Sequence, residues 1–276
     1  MNRFAACLAV GTAVLVASPA AAQQASGWSG PYVGGQIGFG QLRKDDATVL
    51  FDTDRNGTFG DTVRTGAGAD AFSPGFCGGA ASSSSPTTGC DRSDRGLEGG
   101  VHVGFDAELA GLVVGIVGEA ERHDLDDSVS SFSTTPAFYT LTRSLRSSYG
   151  LRGRVGVAAT PATLVYATAG VVRGSFRQSF ASSNTANAFE VTDRRTSGWG
   201  HRLGGGIEQK IGDRFSVGAL YLYSSIKDED GRISVTQGTA PATNPFLLVN
   251  PGGTVFQRSD DRFQQHSLKL TASLRF

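Results

Sequence analysis

The C-terminal stretch from Phe263 to Phe276 constrains the fold of this chain most, because it alternates strictly between apolar and polar residues from His266 onward. Leucines at 268, 270 and 274 share one face with Ala272 and Phe276, whereas Lys269 and Arg275 lie on the other. A period of two places successive side chains on opposite faces of a strand. A dry core between two sheets does not accept unpaired charges, but a barrel wall with lipid outside and a polar interior accepts both faces. The stretch therefore predicts the closing strand of a transmembrane β-barrel.

The N-terminus predicts export. Residues 1–22 contain a basic Arg3, an apolar run through Val16 and three alanines ending at Ala22, directly before Gln23. This pattern is typical of a cleaved secretory signal peptide. We therefore expect the mature chain, residues 23–276, to form the barrel.

Eight segments with strand-like patterns follow one another along the mature chain, at residues 31–43, 97–108, 112–122, 147–158, 163–174, 198–211, 215–224 and 263–276. Three connections are short, and four are long and polar, near residues 44–96, 123–146, 175–197 and 225–262. Bacterial outer-membrane barrels have an even number of strands, short periplasmic turns and longer extracellular loops, and a tilted strand needs about nine to eleven residues to span the bilayer. The predicted fold is all-β, an eight-stranded antiparallel transmembrane β-barrel with long extracellular loops.

Charged residues fall on the predicted inner face of several strands. We expect them to form a network of Glu119, Glu121, Arg152, Arg154, Glu208, Lys269 and Arg275. Glu119 and Glu121 are predicted to meet Arg152 and Arg154 across one hairpin. These charges exclude a soluble barrel with an apolar interior. They leave two interpretations, a selective pore or a filled interior. The second is favoured, because about eight strands leave room only for side chains and arginine–carboxylate pairs satisfy buried charges.

Two cysteines remain after removal of the signal peptide, Cys77 and Cys90, in one loop rich in Gly and Ser. An oxidising compartment allows them to pair. A metal site is the alternative, but no histidine lies nearby in the sequence. We expect a disulfide bond.

Catalysis, metals and nucleic acid are not indicated by the sequence. His266 and Ser267 are adjacent on a strand and so face opposite sides, which excludes a shared catalytic site. The histidines at 102, 123, 201 and 266 lack ligand spacing, with His102 expected on the inner wall and His123 at the base of a loop. Acidic pairs in the loops lack the spacing of a calcium loop. The chain has no net formal charge, unlike a nucleic-acid-binding protein. We therefore predict no enzyme activity, no cofactor, no metal and no nucleic-acid partner.

Several short motifs resemble one protein family. Residues 27–35 (GWSGPYVGG) resemble its W-S/T-G-x-Y-x-G opening, and residues 151–156 with 164–170 resemble its LRGRxGY…LLYATGG hairpin. Residues 204–208, 219–223 and the final Leu274-Arg275-Phe276 resemble its later strands. On these motifs the chain resembles the alphaproteobacterial small outer-membrane barrels of the Omp25/Omp31 type. Two departures are Leu220, where the family usually has an inward Glu, and a longer first loop.

The resemblance implies a structural protein of the bacterial outer membrane that presents surface loops. It implies contact with outer-membrane lipid and lipopolysaccharide, a contribution to envelope integrity, and interaction of the loops with host or envelope surface components. A narrow porin for small solutes is the alternative function, and a haem-binding surface protein is a further alternative, since both properties are attributed to family members.

Overall fold

Eight long antiparallel strands form a closed ring in the computed structural model, which describes residues 27–43, 47–92, 95–228 and 231–276. The predicted signal peptide lies outside these residues. The ring strands are β1 (Gly30–Leu42), β2 (Arg95–Leu109), β3 (Leu112–Ser133), β4 (Ala137–Thr160), β5 (Thr163–Ser182), β6 (Arg195–Ile211), β7 (Phe215–Lys227) and β8 (Arg262–Arg275). Each strand pairs with the next, and β8 pairs with β1. This architecture confirms the predicted eight-stranded, all-β fold.

The period-two pattern places the apolar face outside and the polar face inside. On β8, Leu268 and Leu270 are 64% and 67% exposed, whereas the intervening Lys269 is only 1% exposed. The neighbouring strands follow the same rule, with Ile37 and Phe39 exposed on β1. Within the described residues, no helix has the length and apolar character needed to cross a membrane.

Aromatic side chains border the exposed apolar band at both ends. Phe215 and Phe276 lie near one end, and Tyr149 and Trp199 lie near the other, all with exposed rings. Such girdles mark the two interfaces of a membrane-spanning barrel. We call the first end the turn end, because it holds the β2–β3, β4–β5 and β6–β7 turns, and the second the loop end.

The β3–β4 connection differs from the prediction. Residues 123–146, expected to be a loop, continue as paired strands up to a turn at residues 134–136. The polar composition that suggested a loop reflects cross-strand hydroxyl pairs, Ser128 with Thr142 and Ser130 with Thr140, each at 2.7 Å between oxygens. β5 likewise runs on to Ser182, so the third long connection begins later than predicted.

The long connections fold together above the ring. Four short strands from three of them form one sheet, in the order Ala188–Val191, Ile233–Thr236, Thr254–Arg258 and Val49–Asp52. This sheet packs on the extensions of β3 and β4 through a buried aromatic core of Phe51, Phe72, Tyr139, Phe246 and Phe256. We call this assembly of residues 47–92, 125–145, 183–194 and 231–261 the loop cap.

Candidate functional site in the barrel lumen

The lumen is filled by inward side chains arranged in layers along the barrel axis. At the turn end lies an apolar group built from Trp28, Val113, Leu164 and Leu220, each at most 2% exposed. Leu220 therefore packs in an apolar layer at the position where the resembled family usually carries an inward Glu. Two charged layers, a second apolar layer and a third charged layer follow from there towards the loop end.

The first charged layer, which we call the lower cluster, joins two arginines to two carboxylates. Arg154 donates hydrogen bonds to Asp106 at 2.8 Å and to Glu208 at 2.9 Å. Arg275 donates to the same two carboxylates at 3.0 and 2.9 Å. The guanidinium of Arg154 also lies over the ring of Tyr32, 4.7 Å from its centroid. Two positive charges thus neutralise two negative ones.

The second charged layer, the central cluster, contains three carboxylates, two arginines, one lysine and one histidine, all buried: Glu98, Glu119, Glu121, Arg152, Arg202, Lys269 and His123. Arg202 bridges two acids by donating to Glu119 and Glu121, both at 2.6 Å. Arg152 donates to Glu119 at 3.0 Å, and Lys269 contacts Glu121. The layer thus brings together equal numbers of carboxylates and of lysine and arginine side chains.

An apolar layer, which we call the septum, crosses the lumen directly above the central cluster. It is built from Leu42, Leu125, Leu145, Val172, Phe176, Ile226 and Phe263, each between 0% and 8% exposed. Six of the eight strands contribute to it. The rings of Phe176 and Phe263 lie 5.3 Å apart between centroids. Gly174 permits this close packing, because a Cβ there would approach Ile226 and Leu145 to 3.1 Å.

A third charged layer, the upper cluster, lies above the septum, within the base of the loop cap. Arg143 donates to Asp127 at 2.9 Å and contacts Asp260, and Arg258 donates to both aspartates at 3.0 Å. Burial alone would raise the pKa of Asp260, but the charges of Arg143 and Arg258 outweigh burial and hold that pKa below its usual value. Nearby Asp228 behaves differently, because burial dominates and raises its pKa despite hydrogen bonds from Thr196 and Gln178.

All seven predicted interior charges face the lumen, but their pairing differs in part. Arg152 binds Glu119, as the hairpin geometry suggested. The predicted contact between Arg154 and the two glutamates is wrong, because Arg154 lies one step nearer the turn end, opposite Gly115, and binds Asp106. Glu121 is paired instead with cations from β6 and β8.

Three charged residues of the lower and central clusters were absent from the predicted network, namely Arg202, Glu98 and Asp106. Each has an inward position that the period of two indicates, since Arg202 shares a face with Glu208, and Glu98 and Asp106 share one with His102. His123 was expected at a loop base, but it lies inside and its ring nitrogens contact Glu98 at 3.1 Å and Ser148 at 2.9 Å.

The predicted disulfide joins Cys77 and Cys90 in the loop cap, with Cα atoms 6.2 Å apart. Cys77 belongs to the short strand Gly75–Gly78, which pairs with the extension of β3. The bond therefore fastens the first long connection beside the β3–β4 hairpin.

The histidines and the serine considered as candidate catalytic or haem-binding groups lie on different sides of the barrel wall. Ser267 is buried inside, whereas His266 is exposed on the outer wall and lies 2.8 Å from the hydroxyl of Tyr221. His102 lies on the inner wall, 2.9 Å from Ser273, as predicted. One group of carboxylates, Asp52, Asp54 and Asp61, brings oxygens within 4.8 Å of one another. Asp52 and Asp61 already accept hydrogen bonds from backbone amides in their loop.

The closed ring, its apolar outer band and its charged interior define a transmembrane barrel of the outer-membrane type. The family model described as outer membrane protein beta-barrel domain matches residues 10–276, and the chain belongs to this family. It is therefore a protein of the bacterial outer membrane. Two relatives are 31 kDa outer-membrane immunogenic proteins, from Brucella melitensis biotype 1 and Brucella suis biovar 1. Each is 27% identical over 133 residues, which cover 48% of this chain and 54% of the relative.

These relatives confirm the resemblance to the Omp25/Omp31 type, although the chain spans only about half of their length in the match. Among solved structures, the chain is similar to OprG from Pseudomonas aeruginosa, with 13% identity, a TM-score of 0.48, and coverage of 92% of this chain and 100% of OprG. It is also similar to Ail, the attachment invasion locus protein of Yersinia pestis, with 11% identity, a TM-score of 0.35, and coverage of 90% and 99%.

Proposed function

We propose that the protein is a structural, non-conducting barrel that anchors the loop cap on the outer surface of the outer membrane. The observation that carries this proposal is the septum. A hydrated ion would have to cross a layer of buried leucine, valine, isoleucine and phenylalanine side chains, and apolar constrictions of this kind close pores by excluding water.

The charged layers support the same conclusion. A conducting pore exposes its charges to water, but the arginines and carboxylates of the central and lower clusters are nearly fully buried and bound to each other. Buried ion pairs are tolerated when further hydrogen bonds satisfy their remaining atoms. Ser224 accepts from Arg202 at 2.9 Å, and Ser216 donates to Glu208 at 2.6 Å. We infer that these charges fill the barrel and fix its register.

A liposome-swelling assay tests the absence of solute flow. We expect liposomes containing the refolded protein to respond to small sugars at the rate of protein-free liposomes, whereas a general porin accelerates swelling. Swelling that depends on sugar size would favour the narrow porin for small solutes and would overturn the proposal.

The long connections face the medium in this proposal, because outer-membrane barrels have short periplasmic turns and longer extracellular loops. The loop cap would then be the surface through which the protein meets host or envelope components. An epitope inserted beside Gly57, an exposed position in the loop cap, should bind antibody on intact cells. The matched insertion beside Gly212, in the β6–β7 turn, should bind antibody only after the cells are opened. The reverse pattern would contradict this orientation.

A further inference from the structure

Five exposed arginines lie together on the outer wall at the loop end, across β3 to β6. We call this group the arginine patch, and it consists of Arg122, Arg146, Arg173, Arg177 and Arg195. Four of them, all except Arg173, line an open recess of about 750 Å³. Asp193 lines the same recess, and Asp124 and Asp126 lie 3.3 and 3.4 Å from Arg146. The five arginines therefore outnumber these three carboxylates.

Two of the arginines occupy positions that the fold alone disfavours. Arg177 on β5 and Arg195 on β6 are directly opposite each other in the strand register, and both are exposed. Like charges directly opposite on neighbouring strands are destabilising. A bound anion would offset the repulsion between the two arginines, so this pair indicates that the patch binds an anionic ligand.

The surroundings of the patch indicate that the ligand has an apolar part as well as an anionic part. Arg173, the member of the patch nearest the membrane, is paired between Tyr149 on β4 and Trp199 on β6. Arg173 lies over the Trp199 ring at 5.7 Å and donates to Ser197 at 3.1 Å. Further down, exposed Leu151, Val171 and Leu203 continue the apolar band. The wall thus offers an apolar surface, an aromatic interface and cationic groups in succession.

We propose that the arginine patch binds the phosphorylated sugar headgroup of a lipid A-type glycolipid, with its acyl chains against the apolar wall below. Guanidinium groups recognise phosphate oxygens through paired, charge-assisted hydrogen bonds. Ser147, Ser175 and Ser197 form a partly exposed row between the aromatic and arginine levels and supply hydroxyls for the sugars. The proposal rests on the orientation given above, which places this end at the outer leaflet, but not on closure of the lumen.

Native mass spectrometry of the refolded protein in detergent tests the assignment, with diphosphoryl lipid A and dephosphorylated lipid A as probes. Arg177→Gln/Arg195→Gln is the patch variant. Arg43→Gln/Arg262→Gln is its charge-matched control, because both residues are exposed at the loop end of β1 and β8, on the opposite wall. Heat-modifiable gel mobility verifies that each variant is folded.

We expect the wild-type protein and the control variant to retain diphosphoryl lipid A in preference to the dephosphorylated form. An arginine at an anionic lipid surface contributes roughly fivefold to binding, so the patch variant should bind roughly 25-fold more weakly. The patch variant should also unfold at a higher temperature than wild type without lipid, because the Arg177–Arg195 repulsion is gone.

Equal retention by wild-type and patch variant would overturn the assignment, as would equal weakening in the control variant. Binding of heparin or inorganic phosphate without binding of lipid A would mean that the patch recognises soluble anions, and this result would also overturn the proposal. These outcomes are separate from the epitope experiment, because binding in detergent does not depend on orientation in the membrane.

Discussion

Arg202 is the residue on which the central cluster depends most, because it donates to Glu119, Glu121 and Ser224 while only 1% exposed. Replacing it by leucine leaves two buried carboxylates undercompensated. Removing one partner of a buried ion pair costs about 3–5 kcal/mol, so Arg202→Leu should lower the free energy of unfolding in urea by that amount. The exposed Arg146→Leu change should cost at most about 1 kcal/mol. Equal effects of the two changes would show that the cluster does not hold the barrel together.

Asp260 gives the upper cluster a dependence on pH. Its folded pKa lies below its usual value, because Arg143 and Arg258 outweigh burial. The ionised Asp260 carboxylate therefore stabilises the folded protein fully when the pH is above about 3.9, the pKa of an aspartate in the unfolded chain. This stabilisation is lost as the pH falls through the lower pKa that Asp260 has in the folded protein. The stability difference between wild type and Asp260→Asn should be largest at neutral pH and should vanish in strong acid, as measured by hydrogen exchange of the loop cap. Asp261→Asn, at an exposed neighbour, should retain the wild-type pH dependence. A difference that does not change with pH would contradict the ion pairing.

The interior residues show how far a sequence alone can specify this site. Inward positions follow from the period of two, so Glu119, Arg152 and Lys269 were placed on the correct face, and Arg202 had the same signal. Partner choice does not follow from that period. Lys269 on β8 meets Glu121 on β3 across the lumen, and such contacts depend on strand tilt and stagger around the ring, which no local pattern encodes.

At the scale of elements, the sequence predicts the strand segments that face lipid, because their outward residues must be apolar and their inward residues polar. It misses the segments that extend beyond the membrane, where this requirement does not hold. Beyond the apolar band, polar residues of β3 and β4 are interspersed with buried apolar ones such as Leu125, Val129 and Leu141, so residues 123–146 resembled a loop. The loop cap was not predicted for a related reason. Its core joins Phe51, Phe72, Phe246 and Phe256 from distant loops, and contacts of such long sequence separation leave no periodic signal.

The disulfide bond cross-links two segments of the loop cap and is not part of the barrel wall. Cys77→Ser/Cys90→Ser removes a link that closes a loop of 13 residues in sequence separation. Closing a loop of about 15 residues contributes about 3 kcal/mol. Amides in residues 75–91 should therefore exchange faster with deuterium in the double variant, while heat-modifiable mobility of the barrel remains unchanged. Unchanged exchange would mean that pairing with β3 alone orders this segment.

For the whole molecule, membrane insertion makes the outer wall sensitive to charge. Leu270 is 67% exposed near the middle of β8, and arginine at the bilayer midplane of a barrel costs about 2–4 kcal/mol. Leu270→Arg should destabilise the protein in lipid vesicles by that amount. Val249→Arg, at a 57% exposed site in the loop cap, should change stability by less than about 0.5 kcal/mol. A neutral Leu270→Arg variant would contradict burial of this face in lipid.

Closure of the lumen is the property from which the proposed role follows, and single-channel recording in planar bilayers measures it most directly. The protein would be refolded with its disulfide intact and compared with Phe176→Ala/Phe263→Ala, which removes the two neighbouring aromatic rings of the septum. We expect no steady conductance from wild type and detectable openings only from the septum variant, whose fold is verified by heat-modifiable mobility. Steady, ion-selective openings of the wild-type protein would contradict a closed lumen and would identify the protein as a porin.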